Sequence, residues 1–156
     1  MLQGADGQAR TSPTSIGVMQ SPAITVTVGH TVTHLGQIVV AGRPVSLNAE
    51  RSAHWRQRHA LTASWREQAT VLARRDLKPI VDRPIIVEAF PIQKGRLPDA
   101  GNAYPTVKAI VDGIVDAGII PDDDPASVAS IVLQAPRRPT PGEGEHVTIN
   151  LWSATD

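Results

Sequence analysis

The chain has 156 residues, of which 41% are apolar and none is cysteine. This length and this composition favour one domain with a single core, and they exclude global disorder, disulfides and thiolate chemistry. Its 15 basic and 15 acidic side chains cancel, but they are segregated along the chain. Residues 51–75 hold six arginines and one acid, whereas residues 112–124 hold five aspartates and no base. A basic block suits contact with phosphates and an acidic block suits a cation, although two solvated faces would give the same pattern.

The N-terminal part of the chain changes character near residue 23. Residues 1–22 are rich in Gly, Ser, Thr and Gln without apolar periodicity, so we expect a disordered tail followed by one domain over residues 23–156. Alternating apolar and threonine side chains over residues 24–28 predict a strand, and residues 37–40 predict a second one. No membrane-spanning run and no secretory signal are recognised, which predicts a cytoplasmic protein.

A long segment without Gly or Pro follows, from Asn48 to Arg75. It predicts one amphipathic helix for which Asn48 is a competent N-cap. Its apolar face carries Leu61, Trp65, Ala69 and Leu72. The opposite face is rich in arginine and either follows a phosphate backbone or only solubilises the helix, and the sequence favours neither interpretation.

The second half of the chain predicts three more strands and one more helix. Residues 84–90 form a short β-branched run that Pro91 should end, and residues 92–104 should be a loop. A helix is predicted from Pro105 to a cap at Gly118. Its core-facing stripe is Val107, Ile110, Val111, Ile114 and Val115.

Residues 128–133 and 146–151 predict the last two strands, separated by a loop over residues 135–145. The predicted order is β-β-α-β-α-β-β. This order indicates an α+β fold, with a single mixed β-sheet and two main helices.

Acidic residues stand at both ends of the second predicted helix, with Asp99 before it and residues 122–124 after it. That helix is about 20 Å long, so its ends cannot share a site by themselves. The carboxylates can meet only if the strand before Asp99 and the strand after Asp124 are neighbours in the sheet. If they meet, they suit a hard cation such as magnesium, whereas an acidic turn between prolines is more commonly a solvated loop.

Lys108 lies one helical turn before Asp112, which by itself predicts a surface ion pair. Alternatively, its ammonium group lies near a scissile phosphate and offsets the charge that develops during phosphoryl transfer. The sequence also contains two close pairs of histidines, His30 with His34 and His54 with His59. The first pair lacks a helical signal and a carboxylate at ligand spacing, so a zinc site is disfavoured.

The spacing of the charged residues resembles a known family. Asp112 stands four residues beyond Lys108, and the pair Asp122-Asp123 stands ten and eleven residues beyond Asp112. These spacings resemble those of the RusA-like Holliday junction resolvases, metal-dependent endonucleases common in phages and prophages. Residues 42–48 also resemble the Pro-x-x-x-Asn entry of that family, so the resemblance extends over residues 37–151.

Two features depart from the family pattern, in which an Asp-x-Asp-Asn motif precedes the lysine. Here the motif reads Asp99-Ala-Gly101-Asn102, so Gly101 replaces the second aspartate, and extra residues separate Asn102 from Lys108. The replacement resembles a phage-type variant and removes one metal ligand. Either the neighbouring aspartates of residues 122–124 make good that loss, or the protein binds without turnover.

The resemblance implies a role for each matching residue. Asp99 and Asp123 would hold magnesium, or manganese in its place, with help from Asp122. Lys108 would stabilise the transition state, so the implied catalytic residues are Asp99, Lys108 and Asp123. The implied DNA contacts are Asn48, Arg51, Arg58 and Asn102.

The resemblance also implies a homodimer that acts on branched DNA in the cytoplasm, which for a phage protein is that of the host. The expected function is a magnesium-dependent, structure-selective endonuclease that resolves Holliday junctions or other branched DNA in recombination, repair or phage DNA processing. One alternative is a branched-DNA-binding protein with weakened or no catalysis. Another is a structural protein without a nucleic-acid role, in which the aspartates are merely solvated.

Overall fold

The computed structural model describes residues 31–155, which form one four-stranded sheet with helices. The strands are β1 (Thr31–Ala41), β2 (Ile85–Ile92), β3 (Val128–Leu133) and β4 (His146–Thr155). Their order in the sheet is β1-β4-β2-β3, with β2 parallel to β3 and the other pairs antiparallel. The expected α+β class with a single mixed sheet is therefore confirmed for these residues. The predicted tail over residues 1–22 and the predicted strand over residues 24–28 lie outside them.

The helices are α1 (Leu47–Ser52), α2 (Trp55–Asp76) and α3 (Tyr104–Asp116), and a 3-10 turn (Ala100–Ala103) precedes α3. One core unites α2, α3 and the sheet. It includes Trp65, Ala69, Ala73, Val107, Ile110, Ile114, Ile38, Val87, Ile149 and Leu151. Within residues 31–155, no helix has the length and apolar character needed to cross a membrane.

Gly113 lets α2 and α3 approach each other closely. A Cβ atom on Gly113 would clash with the backbone carbonyl oxygen of Arg66 and lie 2.8 Å from the Cβ of Ala69. Because both neighbours are fixed by α2, neither can move aside without shifting that helix. Glycine at this position therefore sets the distance between the two main helices.

The predicted single helix from Asn48 to Arg75 is wrong in its first part. The structure has a short α1, then an interruption at residues 53–54, then α2. The N-cap of α1 is Ser46, whose Oγ accepts a hydrogen bond from the N–H of Ala49 at 3.0 Å, so Asn48 lies inside the helix.

The interruption is stabilised by side chains rather than by Gly or Pro, so no helix breaker in the sequence marks it. His54 caps α2, because its Nδ1 accepts a hydrogen bond from the N–H of Arg56 at 3.5 Å. Arg58 donates from Nε to the carbonyl of Ala53 at 3.1 Å and from Nη2 to that of Arg51 at 3.3 Å. These donors satisfy carbonyls that a continuous helix would have bonded internally.

Three predicted strands are present but longer than expected, and Pro91 does not end β2. The β2 strand continues to Ile92, with Pro91 paired opposite Val147 of β4. The carbonyl of Pro91 accepts a hydrogen bond from the N–H of Arg137, on the side where β3 has already ended. The missing N–H of Pro91 therefore costs no strand pairing. The strand over residues 128–133 has the predicted bounds.

Candidate functional site

The ammonium group of Lys108 is shared by two carboxylates. Its Nζ donates to Oδ1 of Asp112, one turn further along α3, and forms an ion pair with Oδ2 of Asp123 at 2.6 Å. The ion pair predicted from the spacing of Lys108 and Asp112 is therefore confirmed. Asp123 joins them from the loop after α3, so residues separated by 15 positions form one cluster.

The charges of this cluster reinforce one another. Burial by itself would lower the pKa of Lys108, but the hydrogen bonds and charges of Asp112 and Asp123 outweigh burial and raise that pKa above its usual value. The hydrogen bond from Lys108, with its charge, lowers the pKa of Asp123. The lysine and Asp123 are therefore both charged at neutral pH.

The loop after α3 brings Asp123 to Lys108. β2 and β3 are parallel neighbours, the condition under which Asp99 and residues 122–124 were expected to meet, but within residues 31–155 Asp99, Asp122 and Asp123 do not form a group that could hold a metal ion. Gly118, predicted to end α3, follows the C-cap Ala117 with φ of 75°, and its N–H donates to the carbonyl of Val115 at 2.9 Å. The chain thereby turns at the end of α3 before it enters β3.

Only one of the three consecutive aspartates faces Lys108. Oδ1 of Asp122 accepts the N–H of Asp123 at 2.8 Å, and Oδ1 of Asp124 accepts the N–H of Ser127 at 3.0 Å. These local bonds fix the turn that precedes β3. The side chain of Asp123 is the one that they leave directed at the lysine.

Asp99 lies in a neighbouring cavity. It is exposed at the start of the 3-10 turn and lines a cavity of about 360 Å³ together with Asn48, Arg96 and Asn102. Asn102 fastens this turn to α1, because its Oδ1 accepts the N–H of Leu47 at 3.2 Å. The structure therefore places Asp99, Asn48 and Asn102 around one cavity.

A second cavity, of about 280 Å³, contains Lys108 and Asp112 and is also lined by Leu47 and Arg58. Leu47 belongs to this cavity and Asn102 to the Asp99 cavity, so their hydrogen bond joins the two walls. The candidate site is thus a pair of adjoining cavities at the start of α3. One holds Asp99 and the other holds Lys108.

The fit of a metal ion can be judged from these side chains. Among residues 31–155, no group of three or more acidic or histidine side chains is close enough together to hold a metal ion. Asp99, Asp122 and Asp123 therefore do not form such a group. The structure does bring Asp112 and Asp123 to one cationic group. Magnesium is commonly held by one or two carboxylates together with substrate phosphates and water, and in this structure Asp112 and Asp123 are both bonded to the ammonium of Lys108.

The arginines of α1 and α2 differ in what they contact. Arg51 is exposed near the site, and Arg58 lines the Lys108 cavity while bonding the interruption between the helices. In the second half of α2, Arg66 forms a two-bond pair with Asp116 at 2.5 and 2.8 Å. Four of the six arginines over residues 51–75 therefore donate hydrogen bonds to protein groups: Arg58, Arg66, Arg74 and Arg75.

The sequence interpretation missed two features. Asp112 was expected only to pair with Lys108, but it shares that lysine with Asp123. A set of basic side chains after β2 and in the β3–β4 connection, which includes Lys94 and Arg138, was not identified at all. Their separation along the chain produces no spacing signal, and only the parallel register of β2 with residue Arg137 brings the two segments together.

Comparison with models of known protein families finds no match for this chain, and no curated protein matches it significantly.

Proposed function

We propose that this protein is a magnesium-dependent endonuclease with a RusA-like fold that cleaves branched DNA. The observation that carries the proposal is the ammonium of Lys108 held between Asp112 and Asp123. This arrangement supports the proposal because the three residues have the spacing of the resolvase pattern. An isolated helix-surface ion pair would need only Asp112.

Each residue of the site has a chemical task in this proposal. Asp99 and Asp123, with Asp122 beside them, would hold the magnesium ion, which when bound supplies an activated water for phosphodiester hydrolysis. Lys108 offsets negative charge on the phosphate in the transition state. The start of α3 offers the positive end of the helix dipole to the phosphate, although the N–H of Tyr104 is bonded to the carbonyl of Gly101 and Pro105 has none.

The substrate in this proposal is a four-way junction or another branched DNA, processed during recombination, repair or phage DNA metabolism. A homodimer suits this task, because a two-fold assembly offers one site to each of two strands. The contacts to DNA then come from α1, the start of α2 and the 3-10 turn, through Asn48, Arg51, Arg58 and Asn102.

A second candidate is a protein that binds branched DNA without cleaving it. Two observations favour it. Gly101 supplies no carboxylate at the position of the family's second aspartate. In the described part of the chain, Asp99, Asp122 and Asp123 do not form a group of three carboxylates that could hold a metal ion.

The first test is cleavage of a labelled four-way junction with magnesium and, separately, with EDTA. Magnesium-dependent cleavage is expected, and Lys108→Ala should lower the rate by about 10²-fold or more, the size of effect of losing one charge-stabilising group. Because its partner carboxylates are partly open to solvent, this substitution should change the free energy of unfolding by no more than about 1 kcal/mol.

Lys78→Ala is the matched control, because Lys78 is exposed at the far end of α2 and should leave cleavage unchanged. A mobility shift without cleavage supports the binding protein. Neither shift nor cleavage removes both candidates. Retained turnover in Lys108→Ala with a large loss of stability would contradict the catalytic role of Lys108.

The second test restores the missing carboxylate with Gly101→Asp. A Cβ atom on Gly101 has no neighbour within 4 Å, so the aspartate has room beside Asp99. We expect faster magnesium-dependent cleavage, because the loop acquires an oxygen ligand. Gly101→Asn adds the same bulk without the charge and should not reproduce the increase. Unchanged or slower cleavage in Gly101→Asp would mean that the variant loop is already complete.

A further inference from the structure

Two loops at the C-terminal end of β2 carry basic side chains that the sequence keeps far apart. Lys94 and Arg96 follow β2 directly, and Arg138 lies in the β3–β4 connection. The Nε of Arg138 donates to the carbonyl of Gly95 at 3.0 Å. Lys94 and Arg138 line the same open groove, of about 630 Å³. We refer to Lys94, Arg96 and Arg138 as the basic edge.

Two acidic residues near the basic edge are paired with arginines that lie outside it. Glu143 accepts two bonds from Arg137, both at 2.8 Å, and Glu145 pairs with Arg43 at 3.2 Å. Within residues 31–155, none of the three side chains of the basic edge forms an ion pair. Their positive charge is therefore directed to solvent, although acids lie close by.

The loop that carries Arg138 is held in place. Glu143 also accepts bonds from the N–H and Oγ of Thr140, at 2.8 and 3.0 Å. The hydrogen bonds from Arg137, together with those from Thr140, lower the pKa of Glu143 to about 2, so this carboxylate stays ionised and bonded at neutral pH. Backbone bonds from Gln93 to Arg137 at 3.1 Å, and from Arg137 to Pro91 at 3.2 Å, tie this loop to β2 and the residues after it.

The basic edge adjoins the candidate site, because Arg96 also lines the cavity that contains Asp99. We propose that the basic edge binds the sugar-phosphate backbone of a DNA arm as that arm leaves the candidate site. Guanidinium and ammonium groups without carboxylate partners are the groups that hold phosphates in protein–DNA contacts. This inference rests on the proposed function for its ligand, and it assigns the arm's position to a surface outside the arginine block of α2.

The test compares two variants with the same decrease in positive charge. The edge variant combines Lys94→Gln, Arg96→Gln and Arg138→Gln. The control variant combines Arg75→Gln, Lys78→Gln and Arg83→Gln, at the opposite end of β2. Binding of a labelled four-way junction is measured by fluorescence anisotropy in EDTA, from about 50 to 200 mM salt, and cleavage is measured separately with magnesium.

We expect the affinity of the edge variant to fall by about 10-fold or more. Its salt dependence should also become shallower, by about 0.9 in the logarithmic slope for each phosphate that the variant no longer neutralises. The control variant should bind within about two-fold of wild type. An equal fall in affinity in the two variants overturns the inference, because it shows only an effect of net charge.

The cleavage measurement separates this inference from the proposed function. If wild type cleaves and the edge variant binds and cleaves like wild type, the inference is wrong and the proposed function stands. If wild type binds without cleaving and only the edge variant fails to bind, the inference stands and the endonuclease is wrong. If wild type does not bind the junction, both are wrong.

Discussion

The second half of α2 and the basic edge have similar numbers of basic side chains but present very different surfaces. In α2, Arg66 pairs with Asp116 and Arg75 pairs with Asp76. At the basic edge, the nearby carboxylates of Glu143 and Glu145 are bound to other arginines. Charge that is available to a polyanion therefore depends on which acids are already bonded, and a count of arginines along the chain does not measure it.

The comparison also explains the segregation of charge in the sequence. The basic block over residues 51–75 and the acidic block over residues 112–124 pack against each other in part, through Arg66 and Asp116. Arg74 adds a bond to the backbone carbonyl of Asp116 at 3.2 Å. Part of the charge pattern that suggested external partners is thus an internal contact between α2 and α3.

The largest expected effect comes from separating those two helices with Gly113→Ala. The added methyl group would clash with the carbonyl of Arg66, so the free energy of unfolding should fall by about 1–3 kcal/mol, the usual cost of overpacking. Denaturant unfolding measures this decrease. Gly101→Ala is the control, because its methyl group enters open space. Equal stability of the two variants would show that the helices are not in close contact at Gly113.

Much of the fold followed from local pattern. The apolar stripe predicted α3 well, because this face of the helix is buried against the core, and residues 128–133 form a strand with the predicted bounds. The interruption between α1 and α2 was not predictable in this way. It depends on His54 as a cap and on Arg58 bonding to carbonyls, and neither residue type is a recognised helix breaker.

The site was predictable only where its contacts are close in sequence. The pair of Lys108 with Asp112 follows from helical spacing alone. The approach of Asp123 to Lys108 depends on the path of the loop after α3, which local pattern could not decide. The direction of Asp123, rather than Asp122, toward the lysine depends on hydrogen bonds within the turn.

The smallest expected effect, and the sharpest test of the comparison, is Arg66→Gln. Arg66 lowers the pKa of Asp116 through its hydrogen bonds. The ion pair therefore stabilises the fold at pH values above the ordinary pKa of an aspartate. The fold loses this stabilisation as the pH falls through the lowered pKa. Both side chains are well exposed, so the variant should be less stable by only about 0.5 kcal/mol at neutral pH, and the difference from wild type should vanish in acid.

The coupling between these residues is measured by unfolding at two pH values of three variants: Arg66→Gln, Asp116→Asn and the double variant. In Arg66→Gln, an NMR titration should show a higher pKa for Asp116 than in wild type. Because Arg66 is bonded within the protein, its removal should leave junction affinity within about two-fold of wild type, whereas removal of Arg96 alone should weaken binding and lower the logarithmic salt slope by about 0.9. A fall in affinity in Arg66→Gln as large as that in Arg96→Gln would mean that the ion pair with Asp116 opens when DNA binds, and the contrast between the two regions would then hold only for the free protein.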